Sequence, residues 1–191
     1  MIRTGRHLWI AAAGLLLAAC ASAPLHYYTL VAPADESAET ATPPSPSFEL
    51  LPVGVPAQVD QPQLVVREGG QGVALLGSER WIAPLGDEVR SADVSGLPGN
   101  GKPLLRIKLD VRRFDSAPGS YALIESAWSV RLLHGTRPAA LACSSRISEA
   151  VGPGYPALVQ GHQRAIARLA AQIATAARAL GDGQSPACPP G

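Results

Sequence analysis

The chain has 191 residues, a formal net charge of +1, 16% charged residues and 47% hydrophobic residues. A near-neutral, sparsely charged surface gives no electrostatic footprint for nucleic acid or for a strongly acidic partner. Cysteine occurs three times, at Cys20, Cys143 and Cys188, and without clustered histidines these form no metal site, so no cofactor is expected.

Taken from the N-terminus, the first element is a cleavable leader. Arg3 and Arg6 precede the apolar run Leu8 to Ala18, which is too short to span a bilayer and ends in Leu17-Ala18-Ala19-Cys20. Small residues leading to a cysteine behind such a run mark the cleavage and lipidation site of a bacterial lipoprotein. Residues 1–19 are therefore expected to be removed and Cys20 to carry the acyl chains; two or three chains anchor stably where one binds only marginally. Ala21 stands where an aspartate would favour inner-membrane retention, which points to the periplasmic face of the outer membrane. About 170 residues remain, enough for one domain with a sizeable core.

Residues 20–26 form a short tether and residues 27–181 the single domain. Ala21 to Leu25 reach about 17 Å at most when extended, so the domain is expected to lie close against the membrane. His26 to Val31 reads as a strand from Tyr27, Tyr28 and Thr29, whereas residues 32–47 are rich in Pro, Ala, Ser, Thr and acidic residues and read as a flexible loop. Phe48 to Val55 reads as a strand stopped by Pro56, Ala57 to Gln61 as a turn, and Gln63 to Arg67 as a strand. Gly69-Gly70 marks a hairpin, with Val73 to Leu76 as its return.

Pro84 to Leu97 carries helical signals: an early proline, Asp87 and Glu88 in the first turn, and Leu85, Val89 and Ala92 on one side. Leu104 to Phe114 alternates cleanly, with Leu105, Ile107, Leu109 and Val111 on one face and Arg106, Lys108, Asp110 and Arg112 on the other. Turns at Ala117-Pro118-Gly119-Ser120 and at Gly135 to Pro138 lead into strands Tyr121 to Leu133 and Ala140 to Ala150, making a meander. Pro156 to Leu180 spaces Leu158, Val159, His162, Ile166, Leu169, Ile173, Ala176 and Leu180 as one face of a long helix, with Arg164, Arg168, Gln172 and Arg178 mostly turned away. Residues 182–191 read as a disordered tail unless Cys188 pins it. In an oxidising compartment Cys143 and Cys188 either bridge or remain two free thiols. The expected fold class is α+β: an antiparallel sheet with a C-terminal three-strand meander, covered on one face by a middle helix and a long C-terminal helix.

Behind the lipidation site come Tyr27-Tyr28-Thr29-Leu30, Val53-Gly54-Val55-Pro56, Asp60-Gln61-Pro62-Gln63-Leu64-Val65, Arg80-Trp81 followed by Pro84-Leu85, and the Ala/Leu-rich helix after Tyr155. In this order and spacing the chain resembles the PqiC-like, ABC-type transport auxiliary lipoprotein family. The resemblance implies an outer-membrane lipoprotein without a catalytic centre, a partner carrying MCE domains in an ABC-type intermembrane lipid-transport system, and a homo-oligomer that docks it. The middle helix, polar and glycine-containing, departs from the leucine-rich helices of the family. The alternative is an envelope lipoprotein that scaffolds or regulates outer-membrane assembly or peptidoglycan machinery.

Individual residues carry competing readings. Arg80 and Trp81 present either a cation and an aromatic to a partner or, more simply, a solvated arginine beside a core tryptophan. Arg106, Lys108 and Arg112, with Arg131 and Arg146, line a polar face that would meet lipid headgroups or an acidic surface only if no carboxylates interleave. His162 sits at the edge of the apolar stripe and reads as a structural histidine, and Ser144 and Ser145 lack any nucleophile motif. Tyr27 and Tyr28 divide between core and solvent by strand alternation, or sit at headgroup level.

Overall fold

A computed structural model describes residues 23–33, 47–95, 104–133 and 139–189. Cys20 and the leader, most of the 32–47 loop, and the turns expected at Pro98 to Gly101 and Gly135 to Pro138 lie outside the described residues. The elements are β1 (His26–Tyr28), β2 (Phe48–Leu50), β3 (Gln63–Glu68), β4 (Gly72–Trp81), α1 (Leu85–Ser95), β5 (Leu105–Ala117), β6 (Tyr121–Leu132), β7 (Ala140–Ala150) and α2 (Tyr155–Gly181).

The class is α+β, and the strands divide between two mixed sheets. One has the order β1-β4-β3 and the other β2-β5-β6-β7; within them β1 runs parallel to β4 and β2 parallel to β5. The meander β5-β6-β7 is antiparallel throughout, and its alternation is the one visible in sequence: Leu105, Ile107, Leu109 and Val111 are buried while Arg106, Lys108 and Arg112 are exposed.

Three boundaries differ from the sequence reading, each for an identifiable reason. β2 stops at Leu50 because the ladder slips there: Leu51 donates to Ile107 O, but the next bond, to Leu109 O, comes from Gly54 and not Val53, and the chain meets β5 again at a bridge from Gly54 to Asp110. β5 continues past Phe114 because a register shift between Val111 and Arg113 turns Asp115 and Ser116 inward, where both find hydrogen-bond partners. β4 runs five residues beyond Leu76 because its second half pairs with β1, a partner no local pattern reveals.

α2 lays its apolar stripe on the meander, with Leu158, Ile166, Leu169 and Ile173 each essentially inaccessible to water, a burial worth about 1.5–3 kcal/mol per side chain. It begins after Gly154, whose φ of 91° suits glycine, with Pro156 in the first turn. Gly161 brings the helix against Val151 and Ala122 so closely that an added Cβ would overlap Val151 Cγ1 and approach Ala122 Cβ to 3.0 Å. Gln172 departs from its expected outward position: it accepts a bond from Ser145 Oγ at 2.6 Å, and that hydroxyl in turn accepts from Trp128 Nε1 at 2.9 Å. α1 packs against α2 through buried Leu85 and Val89. Residues 182–189 are held against β7 by a disulfide between Cys188 and Cys143, 45 residues apart, the pinning that the sequence reading left open.

Candidate functional site

The polar chemistry of the described residues concentrates where β1 enters the domain. His26, Glu79 and Tyr28 project from one side of the β1–β4 pair, since His26 is in register with Glu79 and Tyr28 with Trp81. The buried Glu79 carboxylate meets His26 Nδ1 at 2.8 Å and accepts hydrogen bonds from Tyr28 Oη at 2.7 Å and Ser78 Oγ at 3.1 Å. The bond to His26 holds the Glu79 carboxyl below the usual range, against the opposing pull of burial. Burial and the neighbouring carboxylate push the Tyr28 hydroxyl up to about 12, so it remains a donor at neutral pH.

The residues after β1 are gripped by both helices. Glu88 Oε2 of α1 accepts from Thr29 Oγ1 at 2.8 Å and from the Leu30 backbone N–H at 2.7 Å, while Gln163 Nε2 of α2 donates to Thr29 O at 3.0 Å. Leu30 itself is buried. The strand nearest Cys20 is therefore fixed to β4, α1 and α2 at once, and a force applied at its N-terminus reaches the core without slack.

Trp81 and Arg80 separate as strand alternation requires. Trp81 is 5% exposed, meets Phe114 edge-on with centroids 6.1 Å apart, and donates its backbone N–H to Pro62 O. Its burial removes it as an exposed partner anchor. Arg80 remains half-buried on the other side, its Nε without a partner. Asp60-Gln61-Pro62 and Trp81-Ile82-Ala83-Pro84, distant in sequence, meet to line a cleft of about 360 Å³.

The cationic face read from β5 is not a cluster. Arg106 pairs with Glu49 at 2.8 Å, Lys108 with Asp110 at 3.2 Å, Arg112 lies 4.0 Å from the same Asp110, and Arg146 pairs with Glu125. Carboxylates interleave, so the condition for a headgroup-binding face fails: Asp110 stands in the β5 alternation itself, and Glu49 of β2 and Glu125 of β6 arrive by strand pairing. Between these pairs the small side chains Ala127, Ser129, Ala142 and Ser144 leave a shallow depression of about 490 Å³.

His162 is fully buried, further in than its place at the edge of the stripe suggests. It stacks on Phe114 with centroids 4.0 Å apart, shares a 2.8 Å hydrogen bond between Nε2 and Ser116 Oγ, and is pushed down to about 3 by burial, so it is neutral. Its Nδ1 has no partner to orient it, and neither residue lines the cleft or the sheet depression. The pair lacks both the third orienting group and the substrate access that a nucleophile–base dyad needs. Among the described residues no group of three or more His, Cys, Asp or Glu converges as a metal site, and no helix is long and apolar enough to cross a membrane.

Sequence reasoning singled out Arg80, Trp81, Arg106, Lys108 and Arg112 but missed Glu79 and Glu88, the two buried carboxylates that lock β1. Glu88 carried a weak signal as an acid in the first helical turn; Glu79 carried none, because its partners lie about fifty residues away.

Residues 28–174 match the family model described as the ABC-type transport auxiliary lipoprotein component. Two crystal structures share the fold. An uncharacterised protein aligns with a TM-score of 0.61 at 17% identity, over 80% of this chain and 98% of its own. A Xanthomonas campestris protein aligns with a TM-score of 0.55 at 16% identity, over 84% and 98%. Identities this low carry the fold alone. No curated protein shows significant sequence similarity to the chain.

Proposed function

The chain belongs to the ABC-type transport auxiliary lipoprotein family, and from that premise we propose that it is the non-catalytic, outer-membrane-anchored accessory subunit of an MCE-type ABC system that moves lipid between membranes. In this reading Cys20 carries the lipid, the domain stands on the periplasmic face, several copies associate, and the assembled copies hold the outer-membrane end of the MCE-bearing partner.

The observation that carries the reading is the locked β1. Only five residues separate Cys20 from His26, and the strand that follows is bonded to β4, α1 and α2. A short tether running into a strand held at three places suits a part whose task is to hold a partner close above one membrane. It suits poorly a scaffold that must reach toward peptidoglycan. Anchoring also concentrates the docking surface in the membrane plane, so that modest contacts from several copies add to a firm attachment.

The test is affinity purification of the lipidated protein from crosslinked envelopes, with Cys20→Ala as control. Enrichment of an MCE-domain protein, permease and ATPase with the wild type, and their loss with Cys20→Ala, supports the proposal. Recovery of peptidoglycan or outer-membrane assembly proteins instead, while the transporter is expressed, refutes it.

A further inference from the structure

Six large apolar side chains are exposed among the described residues: Leu25, Tyr27, Val31, Val73, Leu75 and Ile82. All lie on or directly beside β1 and β4, and none on the four-stranded sheet or either helix. Three of them gather at the edge where the chain enters. Tyr27 is in register with Arg80 on the side opposite His26, Tyr28 and Trp81; Leu25 stands two residues before it, and the Ile82 N–H donates to Tyr28 O, which carries the ladder past the end of β4 and sets Ile82 beside β1. Leu25, Tyr27 and Ile82 are 48, 54 and 61% exposed. Tyr27 points away from His26 and Tyr28, whose side chains are both hydrogen-bonded to Glu79.

From this geometry we infer that the β1 edge is the surface on which the domain rests on the bilayer, with Leu25, Tyr27 and Ile82 at the headgroup boundary. The inference rests on the reading of Cys20 as the lipidated residue. The tether then confines His26 to within about 20 Å of the membrane surface even when fully extended, so this edge is the part of the domain brought nearest the lipid. Tyrosine is suited to that depth, its ring apolar and its hydroxyl wet. Three side chains also fall far short of the roughly 800 Å² per partner that a stable protein interface buries, whereas a bilayer edge, with the acyl anchor supplying the affinity, needs no such area.

The test uses the full-length lipidated protein reconstituted in vesicles of phosphatidylethanolamine and phosphatidylglycerol. The photocrosslinker p-benzoylphenylalanine is placed in turn at Tyr27, at Ile82 and, as control, at Ser144 on the exposed face of the other sheet. Flotation and intact mass report anchoring independently of the crosslink. The expected result is a protein that floats, with at least about tenfold more phospholipid adduct from positions 27 and 82 than from 144, as headgroup-level placement requires. A floating, acylated protein whose adducts at 27 and 82 are with a second copy of the chain, or no more abundant with lipid than at 144, overturns the membrane contact while leaving the anchor intact. A protein that is not acylated at Cys20 overturns both.

Discussion

Replacement of Gly161 by alanine sets two effects of known sign against each other. In a helix interior alanine is favoured over glycine by about 1 kcal/mol, because glycine loses more backbone entropy on folding. At Gly161, however, the new methyl would overlap Val151 Cγ1 and stand 3.0 Å from Ala122 Cβ, and both neighbours are buried, Ala122 in β6 and Val151 just past the end of β7. Overpacking of this kind costs about 1–3 kcal/mol, which exceeds the propensity gain. Gly161→Ala is therefore expected to lower stability by up to about 2 kcal/mol and, at about 2–4 °C per kcal/mol for a domain of this size, to lower Tm by up to several degrees. The assay is guanidinium unfolding of the oxidised domain lacking the leader, followed by circular dichroism, on Gly161→Ala, Val151→Ala and the double variant. Removing Val151 Cγ1 and Cγ2 makes room for the methyl, so the double variant should be more stable than the sum of the two single effects by at least about 0.5 kcal/mol. A gain of stability in Gly161→Ala alone, or strict additivity in the double variant, would refute the close packing of α2 on β6 and the end of β7.

Asp93 is fully buried, neither carboxyl oxygen has a partner, and burial pushes its pKa up to about 7. The folded chain thus holds a proton there that the unfolded chain releases near pH 4, so this group's contribution to stability is greatest below about 4 and falls as pH rises toward 7, by up to about 4 kcal/mol. Asp93→Asn should flatten that slope and stabilise the protein at pH 8, as read by Tm against pH; an unchanged slope contradicts the assignment. Glu88→Ala strips the buried Leu30 N–H of its acceptor and should cost about 1–3 kcal/mol, with faster amide exchange at residues 29 and 30; protection equal to wild type would show that Glu88 does not hold β1. Cys188→Ser opens a loop of 45 residues and should lower stability by up to about 4 kcal/mol under oxidising conditions, with no difference between variant and wild type after reduction.

What sequence revealed and what it concealed follow from the range of the interactions. β5 and α2 were legible because one face of each is buried along its whole length, so period two and period 3.6 stand out in Leu105 to Val111 and in Leu158 to Leu180. The second half of β4 was not, since Ser78, Glu79 and Arg80 have no apolar period and pair with β1, about fifty residues upstream, on one side and with Gln63 on the other. The division into two sheets was hidden for the same reason, both parallel pairings being non-local. At the candidate site, Trp81 and the β5 cations with Asp110 among them were visible as residue types, but part of their meaning lay in distant partners: Phe114 and Pro62 for the tryptophan, Glu49 for Arg106. Glu79 offered no local clue at all, because a lone acid in a polar stretch reads as solvated until His26 and Tyr28 are placed beside it.

The central claim, that the chain serves an ABC lipid-transport system as its anchored accessory, is tested most directly by epistasis in the envelope. Outer-membrane permeability would be measured in strains lacking this chain, lacking the ATPase of the system, and lacking both, with the wild-type chain and Cys20→Ala returned in turn. The account predicts that the two single deletions and the double deletion share one phenotype, reversed by the wild-type chain in its own deletion strain and not by Cys20→Ala. Additive defects in the double deletion, or full rescue by Cys20→Ala, would contradict it.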